Sequence, residues 1–178
     1  MADLYLFTRS DDPRAAPMLA DLLREYDSRY GTLFDPQGAA VEMNRYAPRV
    51  FAPPGGNFLL VLRDGQAIAG GAFMPWQGDS AEFKRIWTHP AYRRQGLAGE
   101  VLQALERQAL RQGYRRVYLT TGYRQPEAVA LYLRHGYRAL FAPDADHEAL
   151  KTLPFEKWLD RATTASARHG AAQASPCL

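Results

Sequence analysis

The segment from Glu82 to Thr121 restricts the fold more than any other. An apolar stretch, Phe83 to Thr88, leads into the turn Tyr92-Arg93-Arg94-Gln95-Gly96-Leu97-Ala98, and a long amphipathic run follows, ending near Arg111. Gly113 closes that run, and a second apolar stretch spans Arg116 to Thr121. Leu97, Val101, Leu102, Leu105 and Ala109 share one face, with Glu100, Gln103, Arg107 and Arg111 mostly off it, as in a helix that packs on a sheet. Strand, helix, strand in this order is a crossover, which joins parallel neighbours. Elsewhere the pattern is antiparallel: Phe58 to Arg63 and Ala67 to Met74 are apolar strands joined by Asp64-Gly65, a strong two-residue hairpin signal. Together these features predict a single α+β domain, a mixed and mostly antiparallel sheet of six to seven strands with helices on both faces.

The flanking chain fits that frame. Leu4 to Thr8 alternates like a short strand, and Asp12-Pro13 reads as a helix cap followed by proline at the first helical position. Leu19, Leu22, Leu23, Tyr26 and Tyr30 recur at intervals of three and four, giving a helix that stops at Gly31. Prolines and glycines break the pattern from Thr32 to Asn57, apart from a short helix over Val41 to Tyr46. A strand over Ala81 to Thr88 follows the Trp76 to Ser80 loop, and Gly136 to Phe141 and Leu153 to Trp158 read as the last strands. Beyond Arg161 the chain turns to Ala, Ser, Thr and Gln, so the domain is expected to span 1–160 and 161–178 to form a mobile tail.

An apolar fraction of 47% and an aromatic fraction of 12% in 178 residues fit one domain with a substantial core and argue against disorder. Cys177 is the single cysteine, which excludes a disulfide framework or a cysteine metal site. His89, His135, His147 and His169 lack metal-ligand spacing, so no metal is expected; His89 reads as turn structure and His135 as a favourable cation near a helix C-terminus. No serine-hydrolase elbow is present. The first ten residues lack a basic start and a sustained apolar region, and no apolar run is long enough to span a bilayer. A cytoplasmic protein without a membrane partner is expected. The net charge of +3 is mild, and the arginines between Lys84 and Arg138 fall largely on polar helix faces, so no nucleic-acid partner is expected either.

The turn before the helix carries the first chemical signal. The opening amides of a helix have no partner within it and sit at the positive end of its dipole, which suits an anion. Gly96 lets backbone approach phosphate oxygens, Ala98 keeps the neighbouring position small, and Arg93 and Arg94 add charge. Arg93-X-X-Gly96-X-Ala98 after a strand, with His89-Pro90 between, resembles the acetyl-coenzyme A signature of the GCN5-related N-acetyltransferase (GNAT) superfamily. Gln125-Pro126-Glu127-Ala128-Val129-Ala130-Leu131-Tyr132 followed by Gly136-Tyr137 resembles that superfamily's Asn-X-X-Ala-X-X-Leu-Tyr segment and the Gly-Phe or Gly-Tyr after it.

The resemblance implies acetyl-CoA as acyl donor, a splayed pair of parallel strands, and a pantetheine arm that enters between them and pairs with the backbone of Lys84 to Thr88. It places the donor against Ile86, Trp87, Thr88, Arg93, Arg94, Gln95, Gly96, Leu97, Ala98, Gln125, Ala128 and Tyr132. Gln125 departs from the usual asparagine by one methylene. Glu82 is the candidate general base and Tyr132 the candidate acid or hydrogen-bond donor to the departing sulfur, with an oxyanion met by amides near Arg85 and Ile86. Strand alternation would put Glu82, Lys84, Ile86 and Thr88 on one face and Phe83, Arg85 and Trp87 on the other. Thr120 and Thr121 are candidates to line the splay. On the acceptor side, Tyr26, Tyr30, Phe34, Tyr46 and Trp76 could form an aromatic wall while Asp27, Asp35 and Glu42 attract a cationic amine. The expected function is N-acetylation of a primary amine, that of a small molecule or alternatively of a peptide or protein; a non-catalytic acyl-CoA-binding module is the rival reading. Dimers are common in the superfamily, which leaves a homodimer open.

Overall fold

Asp64 and Gly65 both adopt positive φ, 51° and 80°, and turn β2 (Asn57–Arg63) back onto β3 (Gln66–Pro75) in the hairpin that the dipeptide predicts. The computed structural model describes residues 2–160, so the expected tail, with His169 and Cys177, lies outside the described residues. With β1 (Leu4–Thr8), β4 (Ser80–Thr88), β5 (Arg116–Gly122), β6 (Arg138–Ala139) and β7 (Thr152–Trp158), the hairpin forms one seven-stranded sheet in the order β1-β2-β3-β4-β5-β7-β6. Among the described residues only β4 and β5 run parallel.

Alternation along the central strand β2 sorts the core. Phe58, Leu60 and Leu62 join Met18 and Leu22 of α1 (Ala16–Tyr30) on one face, where Met43 of α2 (Ala40–Asn44) also packs. Leu59 and Val61 face Val101 and Leu105 of α3 (Leu97–Arg111) on the other, together with Tyr132 of α4 (Pro126–Arg134) and Phe155 of β7. Helix α3 seats closely because β3 offers Gly71, where a β-carbon would meet Ile86, Leu105 and Val101 at 2.8–3.1 Å. Buried Glu106 on α3 accepts hydrogen bonds from Tyr137 Oη at 2.9 Å and Lys157 Nζ at 2.9 Å, fixing the helix to the corner between α4 and β7.

Two features of β4 open a cleft beside it. The strand pairs with β5 only from Ser80 to Phe83, opposite Arg116 to Leu119, and beyond that point the two strands separate. Against β3, Gly70 pairs with Trp87 and Ala72 with Lys84, so Arg85 and Ile86 together oppose Gly71 in a β-bulge, with Arg85 at φ 60°.

The final strands differ from expectation. Gly136, at φ 82°, and Tyr137, whose amide bonds to the Tyr132 carbonyl at 3.0 Å, close helix α4, so β6 keeps only two residues of the expected Gly136 to Phe141 strand. A further short helix, α5 (His147–Leu150), begins where the Asp146 carboxylate accepts the Glu148 and Ala149 amides.

Candidate active site

The turn between β4 and α3 is built by local bonds. His89 Nδ1 accepts the Ala91 amide at 3.1 Å and the His89 carbonyl accepts the Tyr92 amide at 2.9 Å, shaping a single turn of 3-10 helix over Pro90–Tyr92. Arg94 at φ 63° and Gly96 at φ 81° then bend the backbone into α3. Gly96 caps the helix without a side-chain hydrogen bond, and the Glu100 amide makes the first helical bond, to the Gly96 carbonyl at 3.1 Å. The amides of Leu97, Ala98 and Gly99 are thus left to an outside acceptor. The Leu97 side chain is buried in the core, so only its amide faces the turn, while Arg94 and Gln95 are exposed. Arg93 is ion-paired with Glu25 of α1. His135 lies against Gly99, where a β-carbon would come within 2.4 Å of its ring. Desolvation lowers the pKa of His135 and Glu106 only partly opposes it, which disfavours the helix-end cation expected from sequence.

Past Phe83 the splay opens on a cavity of about 500 Å³. Tyr26, Tyr30, Phe34 and Trp76, the expected acceptor residues, all line it, as do Tyr46, Asp35, Glu42, Thr120 and Thr121; Asp27 does not. Tyr30 packs at 5.7 Å from Tyr26 and 5.0 Å from Phe34, and Trp76 stacks on Tyr118 at 4.8 Å with their planes 7° apart. The Tyr30 ring also covers Gly122 of β5. Arg29 pairs with Glu127 and donates to the Arg124 carbonyl at 2.7 Å, while Arg124 donates to the Arg29 carbonyl at 2.7 Å, so the end of α1 is tied to the start of α4.

The bulge overturns the expected alternation of β4. Glu82, Lys84 and Arg85 line the cavity, Ile86 packs with the α3-face core, and Trp87 returns to the α1 face. There the Trp87 indole donates to buried Asp21 of α1 at 2.7 Å. Buried Glu82 has the Lys84 ammonium 3.3 Å away, and Lys84 also lies 3.6 Å from Glu42 and over the Tyr46 ring at 5.1 Å. Desolvation would pull Lys84 down, but Glu82 and Glu42 outweigh it and the pKa rises. Arg85 donates to the Met43 carbonyl at 3.0 Å and sits over the Phe51 ring at 5.2 Å.

Tyr132 is buried between Tyr137 and Phe155, at 5.7 and 5.6 Å, and its hydroxyl makes no hydrogen bond among the described residues. Burial, with a smaller contribution from nearby Tyr26, holds its pKa well above the ordinary phenol value. Tyr132 is not among the walls of the 500 Å³ cavity. Gln125 turns its side-chain oxygen inward, accepting from Thr121 Oγ1 at 3.0 Å and Tyr30 Oη at 3.3 Å, which leaves the amide nitrogen as the group available to a ligand. Ala128 is half-buried against the α3-face core. The side chains of Lys84, Arg85 and Tyr118 were not singled out as site groups from sequence; two adjacent cations inside an apolar strand were the available signal.

The acetyltransferase (GNAT) family model matches residues 16–137. The chain belongs to the GNAT family. It is 30% identical over 125 residues to YjgM of Escherichia coli K12, an uncharacterised N-acetyltransferase, covering 68% of this chain and 75% of that protein. A proposed acyl-CoA N-acyltransferase from Klebsiella pneumoniae superposes with a TM-score of 0.64 at 26% identity, covering 88% of this chain and 99% of that one. PaiA N-acetyltransferase from Thermoplasma acidophilum, in complex with coenzyme A, gives 0.64 at 15% identity, covering 89% and 99% of the two chains, which speaks to fold alone. As a GNAT acetyltransferase the protein depends on acyl-CoA. Its anion-receptive helix start and its strand splay both lie toward the C-terminal end of β4.

Proposed function

We propose that the protein transfers an acetyl group from acetyl-CoA to the primary amine of a small molecule by direct attack of the amine on the thioester. The observation that carries this reading is the splay of β4 and β5 past Phe83, which joins an aromatic-walled cavity containing Glu82 to a strand that ends in unpaired helix amides. In this reading the amides of Gly96, Leu97 and Ala98, with Arg93, Arg94 and Gln95, take the pyrophosphate. The backbone of Ile86, Trp87 and Thr88 pairs with the pantetheine arm, and the Gln125 amide nitrogen donates to it across half-buried Ala128. A cavity of about 500 Å³ has the dimensions of a small-molecule site.

An alkylamine with a pKa of about 10 arrives protonated, so the reaction requires a base. Glu82 takes that role, and the incoming ammonium displaces Lys84 from its carboxylate. Amides at the Arg85–Ile86 bulge stabilise the oxyanion. Tyr132, whose raised pKa keeps it a phenol at physiological pH, donates a hydrogen bond to the departing sulfur. The test is amine-dependent release of coenzyme A, read by thiol detection. Glu82→Gln should lower kcat roughly 100- to 10,000-fold with acetyl-CoA binding kept. Tyr132→Phe should bind acetyl-CoA nearly normally and turn over more slowly; full activity in either variant removes that residue from the mechanism.

A further inference from the structure

Among the cations lining the cavity, Arg85 stands apart. Glu82 is engaged by Lys84, and Glu42 by both Lys84 and Arg45, the latter at 3.0 Å. Arg85 has no ion pair among the described residues: its guanidinium meets only the Met43 carbonyl, the Met43 sulfur at 3.4 Å and the Phe51 ring, and its Nε is buried without any hydrogen-bond partner. Glu42 acts on Arg85 only from a distance, and a part-buried cation without a hydrogen-bonded counter-ion is costly. The cost is compounded by the backbone, because Arg85 occupies the left-handed region at φ 60°, where a side chain other than glycine is disfavoured. The bulge that imposes this φ also places Arg85 on the cavity wall beside Lys84, a re-aiming that regular alternation would not give.

The cavity also carries both signs of charge at separate places. Glu82 and Glu42 suit an ammonium, while Arg85 offers planar, forked donors to an oxyanion; Arg45, the other arginine on the wall, is paired with Glu42. A simple amine would use the first feature and leave the second unmatched. We infer that the acceptor is an amino acid, whose carboxylate is held by Arg85 while its amine is presented to Glu82 and its side chain lies among Tyr26, Tyr30 and Phe34. This rests on the acetyltransferase reading above and adds the substrate class. It separates free amino acids from the terminal amine of a peptide, where the neighbouring carboxylate has been consumed in an amide.

The experiment supplies acetyl-CoA with each protein amino acid and, in parallel, with the amine left when its carboxylate is removed, scoring kcat/KM by thiol release. The acids used should exceed their matched amines roughly 10- to 100-fold, the range of a charge-assisted hydrogen bond. Arg85→Gln should abolish that preference by depressing the acids more than their matched amines, and Arg85→Lys, which keeps the charge without the fork, should restore part of it. Unfolding midpoints of both variants, with and without acetyl-CoA, establish that donor binding survives. Equal or better use of the matched amines by the parent protein, or an undiminished preference in folded Arg85→Gln, overturns the amino acid assignment and leaves the acetyltransferase reading standing. Absence of release with every acid and amine overturns both.

Discussion

Replacing Gly122 by alanine puts the contact between α1 and the cavity to a quantitative test. Gly122 lies in β5 opposite Thr152, and a β-carbon there would sit 2.0 Å from the Tyr30 hydroxyl oxygen, 2.4 Å from Cζ and 3.0 Å from Cε1. Carbon atoms in good contact stand about 3.5–4.0 Å apart, so the ring must retreat by about 1 Å or more. It has little room to do so, with Tyr26, Phe34 and Tyr123 centred 5.0–6.3 Å away. The bond to Gln125, already 3.3 Å long, is lost as well. Overpacking of this kind costs about 1–3 kcal/mol. Urea unfolding should show that loss in Gly122→Ala, whereas in a Tyr30→Ala background the same change should cost less than about 0.5 kcal/mol, since coupling is confined to residues in contact. The amine KM should rise in the single variant, with stabilisation by acetyl-CoA retained. An equal cost of Gly122→Ala in both backgrounds would refute the placement of Tyr30 over β5.

The same geometry yields three further outcomes. Trp87→Phe removes the 2.7 Å indole donor from buried Asp21 and should destabilise the fold by about 1–3 kcal/mol in urea titrations, without changing KM for the amine. Burial raises the Asp21 pKa, but the bonds from Trp87 and Arg24 outweigh it and the net shift is downward, so this carboxylate stabilises the fold above the ordinary value and the contribution is lost as pH falls through the depressed one. In Trp87→Phe the acid limb of a stability–pH profile should therefore be shallower. For His135, lowered chiefly by desolvation, the unfolded chain takes the proton first: stability should be full above pH 6.5 and decline as pH falls through the lowered value, and His135→Gln should flatten that window.

Much of this architecture was readable because local chemistry and tertiary packing agree. Asp64-Gly65 dictates its hairpin, Gly31 stops α1, and the apolar face of α3 meets the sheet as its spacing requires. That Tyr26, Tyr30 and Phe34 come together on one cavity wall was readable because helical spacing put Tyr26 and Tyr30 on one stripe, with Phe34 just beyond the helix. What escaped was set by long-range pairing. Nothing near Arg85 announces a bulge; it arises from how β4 registers on β3 at Gly71, and it inverts the faces of Ile86 and Trp87. Asp21 lies buried within an apolar stripe because its partner, Trp87, is distant in sequence. The His135 pKa is lowered by desolvation where the ring packs on Gly99, a contact made only after α4 folds against α3.

The most direct test of the donor site tracks the backbone amides of the α3 start by ¹⁵N–¹H correlation spectra during titration with coenzyme A. If the pyrophosphate sits on these amides, the resonances of Gly96, Leu97, Ala98 and Gly99 should shift downfield together and saturate at the stoichiometry of binding. Unchanged resonances at these four positions, while shifts elsewhere show coenzyme A bound, would contradict the assignment of the Arg93 to Ala98 turn as the phosphate cradle.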